Sequence, residues 1–182
     1  MNKIALLLSI LTLMANGILV AQSGSESCRE MDIYKALDFW EGRWIVYQGE
    51  RQVGTNRIQK VLEGCAIIEH WRDARGGEGK SLFYVDPMKK IWKQVWVTPN
   101  PFRPGGTKEK QQVARYPDGG IRFIGEYMRN GRMVLDRTTL KPISADSVRQ
   151  HIQISTDGGN SWSEGFDAIY VREKTGRSIK DG

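Results

Sequence analysis

The feature that most constrains this chain is its punctuation. Turn residues recur at intervals of roughly ten along almost the whole sequence: Glu50-Arg51, Glu63-Gly64, "GGEG" at 76–79, "DPMKK" at 86–90, "PDGG" at 117–120, "NG" at 130–131, "SAD" at 144–146 and "DGGN" at 157–160. Asn-Gly and Asp-Gly are the strongest short hairpin signals, because tight hairpin turns need positive φ. The segments between them are too short for helices and rich in Val, Ile, Thr and aromatics, as strands are. The expected strands are 43–49, 52–61, 65–73, 79–85, 90–97, 110–116, 121–129, 132–141, 147–155 and 162–172. One short helix is expected in "MDIYKALDF", with Asp32 as its N-cap. About ten antiparallel strands joined by tight turns predict an all-β fold, an up-and-down barrel, with a sandwich as the alternative. Closing the sheet removes exposed edges, and a barrel of this size holds a small ligand.

The chain has 182 residues, and its first stretch reads as a secretory leader. Lys3 supplies the positive start, Ile4 to Leu13 the apolar run, and Ala21 a small residue at the expected cut. Ser25, Glu26 and Ser27 before Cys28 do not make a lipobox, so no lipid anchor is expected. No later stretch is long and apolar enough to span a bilayer as a helix. The expected division is a signal peptide at 1–21, an N-terminal segment at 22–35, one barrel domain at 36–174 and a short tail at 175–182. The net charge of +6 is spread among acids as on a solvated surface. The "KEK" run at 108–110 is too short for a nucleic-acid patch.

The two cysteines, Cys28 and Cys65, are expected to form a disulfide in an oxidising compartment. The bond would close a loop of about 37 residues, worth about 3–4 kcal/mol. Disulfide pairing is favoured over a thiol nucleophile. Two cysteines and two scattered histidines are also a poor zinc set. No metal and no cofactor is expected, for no phosphate loop or Ser/His/Asp set is visible.

"STDGGNSW" (155–162) fits the Asp box of sialidase-like propellers. A propeller needs several four-stranded blades, and the octapeptide occurs once in a chain without internal repeats. It is read as a hairpin turn: Asp157 accepts backbone N–H groups, Gly158 and Gly159 supply positive φ, and Trp162 packs back on the hairpin.

Taken together, "LDFWEGRWIV" (37–46), "VLEGCAIIEHW" (61–71), "GKSLFYVD" (79–86), "WKQVWV" (92–97) and "VRQHIQISTDGGNSWSEGFDAIYVR" (148–172) resemble the landmarks of a bacterial family of secreted, lipocalin-like barrels. The resemblance runs from about 36 to 173 and implies a calycin-type barrel, with no general activity attached. Gly42-Arg43-Trp44 is similar to the Gly-x-Trp motif of the first lipocalin strand. His70, Ile152 and the stretch Thr98 to Tyr127 depart from the family pattern.

Alternation along a strand decides which side chains share a face. Trp92, Gln94 and Trp96 share one, as do Glu69 and Trp71, and Leu135 and Arg137. On the ninth strand either Arg149, His151 and Gln153 or Val148, Gln150, Ile152 and Ile154 look inward. The expected ligand-binding residues are Trp71, Trp92, Gln94, Trp96, Arg149 and Phe102; Phe102 lies in the long loop "TPNPFRPGGTKEKQ" (98–111) and could cover the mouth. Trp40, Trp44 and Trp162 are read as core. Glu69 and Arg137 are expected inside, either as a structural ion pair or as an acid/base pair if the barrel is an enzyme. His70 and His151 are read as surface residues. The primary reading is a secreted or periplasmic barrel that binds a small apolar or amphipathic molecule. The alternative is a cofactor-free isomerase, cyclase or lyase in the same cavity, and a third is an envelope interaction module.

Overall fold

A computed structural model describes residues 27–174. The expected leader (1–21) and tail (175–182) lie outside the described residues. Ten antiparallel strands close into one up-and-down barrel: β1 (Gly42–Gln48), β2 (Arg51–Val61), β3 (Ala66–Asp73), β4 (Glu78–Asp86), β5 (Ile91–Val97), β6 (Thr107–Arg115), β7 (Ile121–Arg129), β8 (Arg132–Ser144), β9 (Ser147–Ser155) and β10 (Ser163–Arg172). Each strand pairs with its sequence neighbours, and β1 closes the ring on β10 through pairs such as Ile45 with Val171. The turns explain this order. Asn130 and Gly131 both take positive φ between β7 and β8, as a type I′ hairpin requires.

The β5–β6 connection is shorter than expected. Thr98 donates its backbone N–H to Gly106 O (2.9 Å), and β6 begins at Thr107, so "TKEK" is strand and not loop.

Before the barrel, α1 (Asp32–Lys35) and a 3₁₀ turn (Asp38–Trp40) cross one end. Asp32 is the first helical residue; Met31 holds the N-cap position expected for Asp32. Leu37 and Trp40 enter the barrel from this end and meet Trp44, Val46, Ile58, Ile67, Phe83, Trp92 and Tyr170 in one apolar cluster. Each large side chain buried there contributes about 1.5–3 kcal/mol. Trp44 donates its indole N–H to Trp40 O (3.1 Å), and Trp92 donates to Ile33 O (2.9 Å), so both rings are pinned to the plug.

Cys28 and Cys65 are bonded, with Cα atoms 5.0 Å apart. The bridge ties the chain just before α1 to the β2–β3 connection. That end is therefore sealed by apolar packing and a covalent link. The plug leaves the other end to form a cavity.

Candidate functional site

Above the apolar plug, the interior changes character. Glu69 (β3) is buried and accepts from Asn56 Nδ2 at 2.7 Å and from Ser81 Oγ at 2.6 Å. Gln94 donates to Ser81 Oγ at 2.9 Å and reaches the same Glu69 oxygen at 3.5 Å. Across the barrel, Asp136 (β8) is fully buried. It takes the Lys110 ammonium on one carboxylate oxygen and the Lys108 ammonium on the other, each at 2.6 Å. Lys110 also donates to Thr138 Oγ1 at 2.5 Å. Tyr170 donates its hydroxyl to Gln150 Oε1 at 2.7 Å. These bonds answer the rule that buried polar groups must be paired. Asn56 Oδ1 is the buried exception within this layer.

The electrostatics follow from burial and neighbours. Burial pushes the Glu69 carboxyl above its ordinary value, against the donors Ser81, Asn56 and Gln94 and the charge of Lys110. Burial, helped by the like charge of Lys108, brings Lys110 down to about 8 in spite of Asp136. Burial alone would raise Asp136, but the two ammoniums outweigh it and hold the carboxyl below its ordinary value. Burial also raises the Tyr170 phenol well above its usual value.

This polar layer is the floor of a cavity of about 630 Å³, within the usual range for small-molecule sites. Its walls carry Trp71, Trp96, Ile152, Phe166 and Tyr127, and Asp73 and Glu78 line it as well. Two glycines explain why the walls leave room. The Trp71 ring lies against Gly54 of β2, and the Trp96 ring lies against Gly79 of β4, where any Cβ would collide with the indole. Each ring is therefore spread along the wall instead of standing into the interior. At the rim, Asn100, Arg103 and Pro104 of the β5–β6 loop complete the mouth.

The structure brings together Glu69, Trp71, Gln94 and Trp96 around this cavity. It removes four other expected residues from it. Trp92 does point inward, but below the floor, at 0% exposure within the plug. Arg137 points outward: its guanidinium stacks 3.9 Å from the centroid of the Trp162 ring and donates to Gln153. The inward face of β8 is Val134, Asp136, Thr138 and Leu140, so Glu69 does not meet Arg137. Both faces of β8 carry a charge. Asp136 has two lysines to meet it inside, whereas Arg137 can lie on an indole with one side wet. Arg149 is also outside, held by both oxygens of Asp167 at 2.7 and 2.6 Å; the inward face of β9 carries Val148, Gln150 and Ile152. Phe102 is 98% exposed and turns away from the mouth, although its loop does border it.

Three functional candidates were hidden. Lys108 and Lys110 looked like a solvated run, and Asp136 sat on the face assigned outward. One signal could have found them. Gly125 interrupts β7 directly between Lys110 and Asp136, and a mid-strand glycine marks a close approach. A Cβ at Gly125 would collide with the β6 backbone at Glu109 O and would meet Lys110 Cγ at 2.8 Å, so the glycine lets both the β6 backbone and the lysine stem lie close against β7.

The other sequence candidates lie outside the cavity. Ser155 and Asp157 organise the β9–β10 hairpin: Asp157 accepts from Ser161 N (2.9 Å) and from the Ser155 hydroxyl (2.7 Å), and Trp162 donates to Gly159 O (3.0 Å). Trp162 thus packs in the hairpin and not in the barrel core. His70 lies 3.6 Å from Glu78, and His151 3.9 Å from Glu164, both on the outer surface. His151, Glu164 and Asp167 cluster closely enough to hold a cation, but the bidentate Arg149 already neutralises Asp167. Among the described residues no helix is long and apolar enough to cross a membrane.

No model of a known protein family matches the chain, and no curated protein is significantly similar to it.

Proposed function

We propose that this barrel takes up one small amphipathic molecule and carries it. The observation behind this reading is the cavity itself: one open mouth, aromatic walls and a polar floor above a sealed plug. Such a lining favours a ligand with an apolar body against Trp71, Trp96 and Phe166 and one polar end on the floor. The resemblance of the sequence to secreted, lipocalin-like barrels is in keeping with an interior ligand site, although it attaches no activity. The Cys28–Cys65 bond and the leader-like first residues support a secreted or periplasmic location.

The experiment is titration with 1-aminoanthracene, a small neutral apolar fluorophore, with native mass spectrometry of protein from its own host alongside. Saturable binding of one equivalent, quenching tryptophan emission and weakened by Trp96→Ala, is expected. No saturable binding, or binding untouched by Trp96→Ala, would overturn the reading.

One observation favours a second reading, an enzyme. Glu69 is buried, faces the cavity and has its carboxyl raised, as suits a proton-transferring group. Arg137 has no part in it; Lys110 is the cavity cation whose charge acts on Glu69. Glu69→Gln keeps the shape and removes the proton. A host-derived compound bound by the variant but converted only by the native protein would establish the enzyme.

A further inference from the structure

Two ammoniums serve one carboxylate on the cavity floor. Asp136 needs a single cation for charge balance and has Lys108 on one oxygen and Lys110 on the other. Lys110 is the inner one: its side chain is 4% exposed and lines the cavity, whereas Lys108 lies nearer the mouth at 16%. Its stem crosses Gly125, and its nitrogen is fixed by Asp136 and Thr138. It is thus a primary amine held in one place, at the end of an apolar-walled pocket.

We propose that Lys110 captures carbonyl compounds covalently as a protonated Schiff base, so that the ligands of this cavity include small apolar aldehydes or ketones. This rests on the reading of the cavity as a ligand site and names a ligand class for it. The Lys110 ammonium first releases a proton to the Glu69 carboxylate or to water. Its lone pair attacks the carbonyl carbon, a C–N bond forms, and the former π pair goes to oxygen. The nitrogen, now positively charged, gives one of its two remaining protons to that oxygen, and a neutral carbinolamine results. The proton first released returns to the same oxygen, which leaves as water while the nitrogen lone pair closes the C=N bond. One ammonium and one carbonyl become one iminium and one water, and nothing is oxidised or reduced.

Three features of the site suit these steps. While Lys110 is neutral, as a nucleophile must be, Lys108 still holds Asp136, so the buried carboxylate is never left unpaired. The iminium restores the original charge beside Asp136. With the ammonium brought down to about 8, roughly a tenth of Lys110 is free amine at neutral pH, far more than for an ordinary surface lysine.

The test is reductive trapping. The full chain is incubated at pH 7 with 3-phenylpropanal and cyanoborohydride, and the adducts are mapped by peptide mass spectrometry. Lys110 should be labelled at least roughly tenfold faster than the average of the other lysines, because it is held at the pocket end. Excess 3-phenylpropanol, with the same body and no carbonyl, should block the labelling. Lys110→Arg should lose the adduct. If the alcohol binds while labelling is spread evenly over the lysines, or is the same in Lys110→Arg, the imine is wrong and the ligand site stands. If the alcohol does not bind and Lys110 is not labelled, both readings fall. The native chain alone decides the first point, so the test survives a variant that folds poorly.

Discussion

Replacing Asp136 by asparagine keeps the side-chain shape and removes its charge. In the native barrel this carboxylate is 0% exposed and holds two ammoniums at 2.6 Å each. Without it, Lys108 can turn toward the cavity mouth. Lys110, at 4% exposure, cannot, and keeps only Thr138 as a strong partner. One buried charge deprived of its partner costs about 3–5 kcal/mol. For a chain of this length each kcal/mol moves Tm by roughly 2–4 °C, so Asp136→Asn should unfold about 6–20 °C below the native protein at pH 7. The loss should also depend on pH. Lys110 in the folded protein titrates at about 8, below its unfolded value of about 10.4. The unfolded chain therefore binds more protons between those values, and the native protein gains stability as pH rises from about 8 to 10. Loss of the Asp136 attraction lowers Lys110 further, so the variant begins to gain at a lower pH. The gap between the two proteins should narrow up to pH 8 and then stay level. Urea unfolding followed by tryptophan fluorescence at pH 6, 7, 8 and 9, with the disulfide intact, measures it. A loss below about 1 kcal/mol at pH 7, or a gap that does not narrow, would refute the account. Asp136→Asn combined with Lys110→Met should recover part of the loss, since both halves of the pair then go together.

The two inward tryptophans of β5 should behave differently on truncation. Trp92→Ala opens a hole in the sealed plug and should cost about 3–5 kcal/mol, while Trp96→Ala, which borders open space, should cost clearly less in the same urea titration. Reducing Cys28–Cys65 should lower stability by about 3–4 kcal/mol, read as a shift of the denaturation midpoint with and without reductant. Asp157 is held down to about 2 by the Ser161 hydroxyl and N–H and by Ser155. Asp157→Ala should therefore lower Tm at neutral pH and leave 1-aminoanthracene affinity unchanged, and the deficit should shrink as pH falls toward 2, where the native carboxylate also takes its proton.

The barrel was legible because its information is local. Turns such as Asn130-Gly131 and Gly158-Gly159 declare themselves in two or three residues, and the strands fill the intervals. The inward faces of β3 and β5 were legible for a similar reason: Glu69 and Trp71, and Gln94 and Trp96, leave little else of comparable bulk on the opposite face. β8 and β9 were not. There, charged and apolar residues occur on both faces, and the choice depends on partners two strands away. Asp136 goes inside because Lys108 and Lys110 cross from β6, and Arg137 goes outside because Trp162 waits on the next hairpin. Strand period reports one strand at a time, and neither of those pairings is contained in it.

The glycine under the Trp96 indole gives the cavity an inexpensive route to change. A side chain at Gly79 would meet only the Trp96 ring and lift it off the wall, whereas one at Gly54 would also press on the Arg72 carbonyl, so β3 itself would have to shift. The Trp96 ring would swing toward the lumen, and neither the plug nor the Lys110–Asp136 floor would have to move. The dimensions of an acceptable guest are thus tuned by a position on β4 that never touches it. Descendants of this barrel could shift from bulky to slender molecules by a single substitution there, with the chemistry at the far end of the pocket preserved.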